Sequence, residues 1–261
     1  MSILTEEGIL LRSHPYSETS RVLRFLTPDH GLLSVMARGL RRRMSKGEGG
    51  VETFDQVTLV CSFRQERDLH TLRELQVTRS RRRLGRDLVR FSGASLLAEL
   101  ILTHTLQEAS PDLHAGVAGA LDALESAPVQ AVPGIALTAG WRILAFAGFH
   151  PILDGCVRCG GEIPAEGLIR FSAGQGGLLC PRCGQDAAGA RLGPGARADL
   201  SDLVQGTPPA GLRGDRAHLA ILEAFALHHL APARAFQSVA LLRSALQPSE
   251  TESRDEDERE V

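Results

Sequence analysis

Apolar and polar residues alternate through the first 78 positions, and from Ser92 onward the apolar ones recur at helical spacing. The alternating part predicts five short strands, at residues 8–13, 20–26, 32–37, 56–63 and about 72–78, separated by turn formers such as His14-Pro15 and Pro28-Asp29-His30-Gly31. The fourth is the clearest. Val57, Leu59, Cys61 and Phe63 fall on one face and Thr58 and Ser62 on the other, because successive side chains of a strand point to opposite sides. Cys61 is thereby read as a small buried hydrophobe. Five such strands suit a small closed barrel, which leaves no edge exposed. An OB-fold is the leading expectation, with an SH3-like barrel of the same strand count left open.

Beyond the barrel, Leu96, Leu97, Leu100, Ile101 and Leu106 form a helical stripe, with Ser92 or Ser95 as its expected cap. Ser110-Pro111-Asp112 offers a second helix an N-cap, a proline at the first helical position and an early acidic residue. A third helix is expected over 135–147, with Trp141 in its core face, ending at Gly148 before Pro151; two more follow at about 216–230 and 233–246. The fold class is therefore α+β. The expected division is an OB-fold nucleic-acid-binding domain at 1–80, a helical domain at 81–153 and 189–247, a four-cysteine module at 154–188 interrupting it, and a disordered acidic tail at 248–261.

The interrupting module holds the strongest local motif. CVRCGG and CPRCG place Cys156, Cys159, Cys180 and Cys183 in two Cys-x-x-Cys pairs with 20 residues between them, each pair closed by a glycine. That is the spacing of one structural tetrahedral Zn2+ with no open position for substrate. A redox dithiol, an iron–sulfur cluster and two disulfides are its rivals. The redox reading wants one pair at the start of an apolar helix, which neither copy is. The apolar segment from Leu168 to Phe171, glycines 174, 176 and 177, and Leu178-Leu179 outline the hairpin of a zinc ribbon. His150 is read as a helix-end residue because four thiolates suffice, and His228 and His229 as lying on the outer side or margin of a helix.

Charge changes the picture more than composition does. The net charge of -2 hides a division: residues 1–90 carry 17 Lys/Arg against 11 Asp/Glu, and residues 250–261 carry 2 against 7. Arg38, Arg41, Arg42, Arg43 and Lys46 crowd the loop between the third and fourth strands, with no acid before Glu48, and can lie along a phosphate backbone. A second run, Arg79, Arg81, Arg82, Arg83, Arg86 and Arg90, follows the last strand, and the two runs together could form one cationic track. The alternative for the second run is the solvated first face of a helix. Glu6 and Glu7 stand where a secretory signal would carry its basic and apolar parts, and no run of about 18 consecutive apolar residues is present, so a soluble cytoplasmic protein without membrane attachment is expected.

Motifs for catalysis are missing. There is no Gly-x-Ser-x-Gly, Walker-type loop, His-Glu-x-x-His or complete Gly-x-Gly-x-x-Gly, and none of the nine histidines has the Glu two residues on that a nucleic-acid deaminase needs. A non-enzymatic protein is expected.

These residues resemble a known family, the bacterial recombination mediator and DNA-repair family RecO. The resemblance is carried by Gly8 to Arg42, Phe54, the Ala98-Glu99-Leu100 region, Trp141 to Gly161, and Phe171 to Gly184, and covers essentially residues 1–246. It implies an N-terminal OB-fold, a basic loop at Arg38 to Arg42 and on to Lys46, and a protein that binds single- and double-stranded DNA. It further implies annealing of complementary strands and cooperation with RecR to load RecA on DNA coated by single-strand-binding protein. Arg38 replaces the lysine common in the family, and Val51-Glu52-Thr53-Phe54 replaces its Leu-Gln-Pro-Phe. A zinc-containing nucleic-acid or protein interaction adaptor without annealing activity is the alternative.

Overall fold

The computed structural model describes residues 2–38, 50–103, 109–209, 211–232 and 234–246. Five strands come first: β1 (Ser2–Pro15), β2 (Ser20–Thr27), β3 (Gly31–Arg38), β4 (Gln56–Phe63) and β5 (His70–Arg79). They close into a barrel in the order β1-β2-β3-β5-β4. The parallel contact of β3 with β5, through Val35 opposite His70 and Met36 opposite Thr71, breaks the up-and-down order of a simple meander and gives the OB-fold order. Strand β1 is longer than its alternation suggests because it serves two partners. Ser2 to Ile9 pair with β4, and Ile9 to Pro15 pair with β2, with a register shift between Leu10 and Arg12 that bends the strand around the barrel. Leu10, Leu23, Phe25, Leu33, Val35, Val57, Leu59 and Cys61 fill the interior. Cys61 is fully buried, and burial, with Glu6 adding to it, raises its thiol.

Six helices follow among the described residues: α1 (Leu88–Thr103), α2 (Pro111–Ser126), α3 (Val132–Phe146), α4 (Pro194–Gln205), α5 (Asp215–Leu230) and α6 (Gln237–Ala245). Helix α1 starts four residues before Ser92, because Asp87 Oδ1 accepts from the Arg90 amide at 2.9 Å and caps it. Ser92 is instead buried within the helix, its hydroxyl donating back to the Leu88 carbonyl at 2.7 Å. Ser110 caps α2 as its sequence suggests, accepting from the Leu113 amide at 3.2 Å. Helix α4 has no counterpart in the hydrophobic reading. Its apolar stripe is only Leu200, Leu203 and Val204, although Pro194 at its start and Gly206 in the left-handed conformation at its end are ordinary boundary marks.

Helix α3 forms the centre of the helical body. Val129–Phe146 is the one described stretch long and apolar enough to cross a membrane, which the count of consecutive apolar residues did not register. Val132, Ala136, Leu137, Trp141, Ile143 and Leu144 of it are buried in the core. Trp141 meets Phe225 edge-on at a 5.1 Å centroid distance, which settles its place in the packing. Gly140 permits the crossing with α5, since a Cβ there would lie 3.0 Å from Leu222. Ile9, Leu11, Leu26 and Phe54 of the barrel join this same core, so barrel and helices share apolar packing.

Between α3 and α4 lie β6 (Ile169–Ser172), β7 (Gly177–Leu179) and β8 (Ala190–Leu192), in the order β7-β6-β8. The β6–β7 hairpin falls where the cysteine-arm pattern puts it. The third strand, β8, lies past residue 188, so the small sheet extends beyond the boundary expected for the module.

Candidate metal centre and nucleic-acid interface

Two knuckles bring the cysteines together. The Gly160 amide donates to the Cys156 carbonyl at 2.8 Å, with Gly160 in the left-handed conformation, and the Gly184 amide donates to the Cys180 carbonyl at 2.9 Å. Chain crossings fix the knuckles against each other. Val157 donates to the Leu178 carbonyl, Ile152 bridges Gly177, and Arg158 Nη1 donates to the Cys183 carbonyl at 2.8 Å. Only glycine fits at 177, where a Cβ would lie 2.2 Å from the Ile152 carbonyl oxygen.

The Sγ atoms of Cys156, Cys159, Cys180 and Cys183 all lie within 4.8 Å of one another, and Cys159 and Cys180 stand 3.9 Å apart. Tetrahedral coordination with metal–sulfur bonds of about 2.3 Å separates sulfurs by about 3.8 Å, so the four fit a single ion with small adjustment. All are free thiols rather than disulfides. Burial opposes ionisation of Cys156, but amides of Cys180, Arg158 and Cys159 outweigh it and bring the thiol down to about 6. Hydrogen bonding to Cys180, then burial and the other thiols, drives Cys183 the other way, to about 12. Four thiolates this close repel one another, and a cation is what lets all of them ionise. His150 is no ligand of this cluster; its Nδ1 lies 3.2 Å from the Pro151 carbonyl oxygen. His229 is tucked inward, with Nε2 3.1 Å from the Ala173 carbonyl oxygen, while His228 is exposed.

The basic candidates divide sharply. Arg41, Arg42, Arg43 and Lys46 lie outside the described residues, as do Leu106 and the acidic tail. Arg38 at the end of β3, and Arg82 and Arg83 before α1, are exposed. Arg81 is a correction: it is 2% exposed and cannot reach a phosphate. Its guanidinium donates through Nε to Asp122 Oδ1 at 2.6 Å and through Nη1 to the Phe54 carbonyl at 2.8 Å, and its amide donates to Asp55 Oδ1 at 3.0 Å. Arg79 shares the Asp122 oxygen at 2.7 Å, so its charge is partly spent within the molecule. Arg90 donates to the Leu124 and Glu125 carbonyls at the end of α2, where a cation suits the helix terminus. Arg79 and Arg81 thus fasten barrel to helices and Arg90 fastens α1 to α2, while Arg82, Arg83 and Arg86 stay exposed.

Sequence reasoning missed other arginines. Arg12 on β1 stands directly opposite Arg24 on β2, and His14 two positions on shares their face. Arg24 Nε is buried with no hydrogen-bond partner among the described residues. Burial first, then Arg12, Arg24 and Arg21, lowers the pKa of His14. The period-two pattern carried the signal, because these residues occupy the polar positions of two apolar strands.

A closed barrel of OB order, packed on a helical body that carries a four-cysteine ribbon able to hold a metal ion, defines the class of protein. Comparison with known proteins narrows it. The family model described as "Recombination protein O N terminal" matches residues 1–81, and that described as "Recombination protein O C terminal" matches residues 85–234. The DNA repair protein RecO of Rubrobacter xylanophilus is 35% identical over 189 residues, covering 72% of this chain and 74% of that protein. That of Anaeromyxobacter dehalogenans is 34% identical over 234 residues, covering 85% and 90%. The chain belongs to the RecO family of DNA repair and recombination proteins.

Proposed function

We propose that this protein is a non-enzymatic mediator of DNA repair and homologous recombination that binds single- and double-stranded DNA without sequence specificity. It anneals complementary strands and, with RecR, helps to load RecA on DNA coated by single-strand-binding protein, in the RecFOR pathway. Its place is the cytoplasm, at the nucleoid. Family membership over both halves of the chain is the observation that carries the reading. The exposed Arg38, Arg82 and Arg83 support it, and Arg41, Arg42, Arg43 and Lys46 extend the same charge by sequence. Annealing breaks no covalent bond. It needs two polyanions brought together on a cationic surface that offsets their repulsion and leaves bases free to pair.

The metal in this reading is one structural Zn2+ on Cys156, Cys159, Cys180 and Cys183. An all-sulfur donor set suits zinc and leaves no site for substrate. When bound it supplies a fold constraint, and it takes no part in strand pairing.

The test is annealing of complementary labelled strands by the full chain, together with the salt dependence of its DNA affinity. Replacing Arg41, Arg42 and Arg43 by Ala is expected to reduce the slope of log K against log salt by roughly 1 for each phosphate-binding arginine removed. No annealing by the wild type overturns the mediator reading, and an unchanged slope overturns the role of the loop.

A further inference from the structure

Where the β1–β2 turn, the end of β3 and the β4–β5 turn meet, the barrel has a cleft of about 300 Å³ lined by Tyr16, Ser20, Met36, Arg38, Arg67 and His70. Tyr16 is the only tyrosine of the chain. The residue is 69% exposed, whereas the barrel's phenylalanines are otherwise engaged: Phe25 and Phe54 are buried, and Phe63 stacks on His70 at 4.5 Å. The turn that presents it is fixed, because the amides of Tyr16 and Ser17 donate to the Ser20 carbonyl at 2.9 and 3.2 Å. A large exposed ring held on a rigid turn loses little entropy when a flat partner covers it.

The charged side chains that line the cleft are both cations, while Asp68 beside it acts on His70. Arg38 and Arg67 are exposed and their guanidinium groups have no hydrogen-bond or ion-pair partner among the described residues, and none of Glu18, Glu66 and Asp68 in the adjoining turns lines the cleft. Behind the cleft, the outer face of β1, β2 and β3 leads to a second pair of cations, across a row in which only His14 is polar. The register Arg12–Arg24–Ser34, then His14–Val22–Met36, then Ser20–Arg38 places the Arg12/Arg24 pair four residues from the Arg38 row. At the strand rise that is roughly 13 Å. One aromatic face beside two unpaired cations, with a second cationic pair farther along the sheet, matches a polyanion whose bases are free, and does not match a duplex, whose bases are already stacked.

We infer that the Tyr16–Arg38–Arg67 cleft is a nucleotide subsite for single-stranded DNA, in which Tyr16 stacks on one unpaired base while the two arginines hold the flanking phosphates, and the strand continues toward Arg12 and Arg24. The inference rests on the DNA-binding part of the proposed function and adds to it a structural basis for preferring unpaired strands. Annealing is served by such a site, since a base is held by its face with its pairing edge left open.

Equilibrium binding to the full chain, read by anisotropy of a labelled oligothymidylate, a duplex of equal length and an oligonucleotide of abasic residues, tests it. Tyr16→Ala is expected to weaken oligothymidylate binding about tenfold, the worth of one stacked base, and to leave duplex and abasic binding within about twofold. Tyr16→Phe keeps the wild-type affinity. Arg67→Gln lowers the salt slope by roughly 1. An equal loss on all three probes, or no loss on oligothymidylate, overturns the subsite while wild-type binding still upholds the proposed function. A wild type that binds none of the probes overturns both.

Discussion

Arg81, the last residue before the turn into the helical body, donates through Nε to Asp122 of α2 at 2.6 Å, with its side chain wholly buried and that of Asp122 37% exposed. The same guanidinium holds the Phe54 carbonyl, where Phe54 has the left-handed φ of 77° and packs edge-on against Phe91 of α1. Barrel and helices are therefore joined at an ion pair with apolar contacts around it. Removing one member strands the other in a poor solvent for charge. Asp122→Ala is expected to cost about 2 kcal/mol, below the cost of breaking a fully buried pair because Asp122 is partly hydrated. Thermal unfolding should show a fall of roughly 4–8 °C. Arg81→Lys should fall comparably, since an ammonium cannot replace the fork. Either variant melting as the wild type does would show that the pair is not a fastening.

Glu99 of α1 makes the corresponding tie at the far end of the chain. Its two carboxylate oxygens accept from the amides of Gln237 at 3.0 Å and Ser238 at 2.8 Å, so a residue of one helix caps the first turn of another, α6. Glu99→Gln turns one acceptor into a donor facing those amides. The expected loss is about 1–2 kcal/mol, with faster hydrogen exchange at Gln237 and Ser238 than elsewhere in α6. Uniform exchange across the helix would place the capping elsewhere.

What the sequence made legible was local. Strands with one apolar face announce themselves by alternation, and two Cys-x-x-Cys pairs announce a ligand set because knuckle geometry is written into four consecutive residues. The partner of Arg81 lies 41 residues away, so the run from Arg79 to Arg83 read as uniformly available charge. Helix α1 begins at Leu88 and not near Ser92 because Asp87, a cap the apolar spacing did not single out, accepts from the Arg90 amide. Helix α4 escaped notice since three buried apolar residues are too few for a periodic signal. The Tyr16 cleft is assembled from two turns and the end of β3, a juxtaposition that exists only after the barrel closes.

The four cysteines give a prediction by metal removal. Purified without chelator, the protein should carry one zinc per chain. Cys156→Ser should abolish that and loosen the segment between α3 and α4, because structural zinc contributes on the order of 10 kcal/mol of apparent folding free energy. Elemental analysis and limited proteolysis report the two effects separately. Full zinc content in the variant would remove Cys156 from the ligand set.

Acid should destabilise the fold through its buried histidines. His114 on α2 and His218 on α5 are 7% and 1% exposed, with Nε2 of the first and Nδ1 of the second lacking partners among the described residues. Burial lowers both from the usual 6.5; around His114, Glu7 and Asp29 oppose the shift and Arg81 adds to it, while Asp199 and Asp215 oppose it around His218. A folded-state pKa below the unfolded one means that unfolding takes up a proton, so the stability from keeping these rings neutral is complete above pH about 6.5 and is lost as pH falls below it. Each can contribute a slope of up to about 1.4 kcal/mol per pH unit in that window. Chemical denaturation at a series of pH values should show stability declining below pH about 6.5, and His218→Gln, which cannot take up the proton, should flatten the decline. An unchanged slope in that variant would mean that the acid sensitivity belongs to other groups.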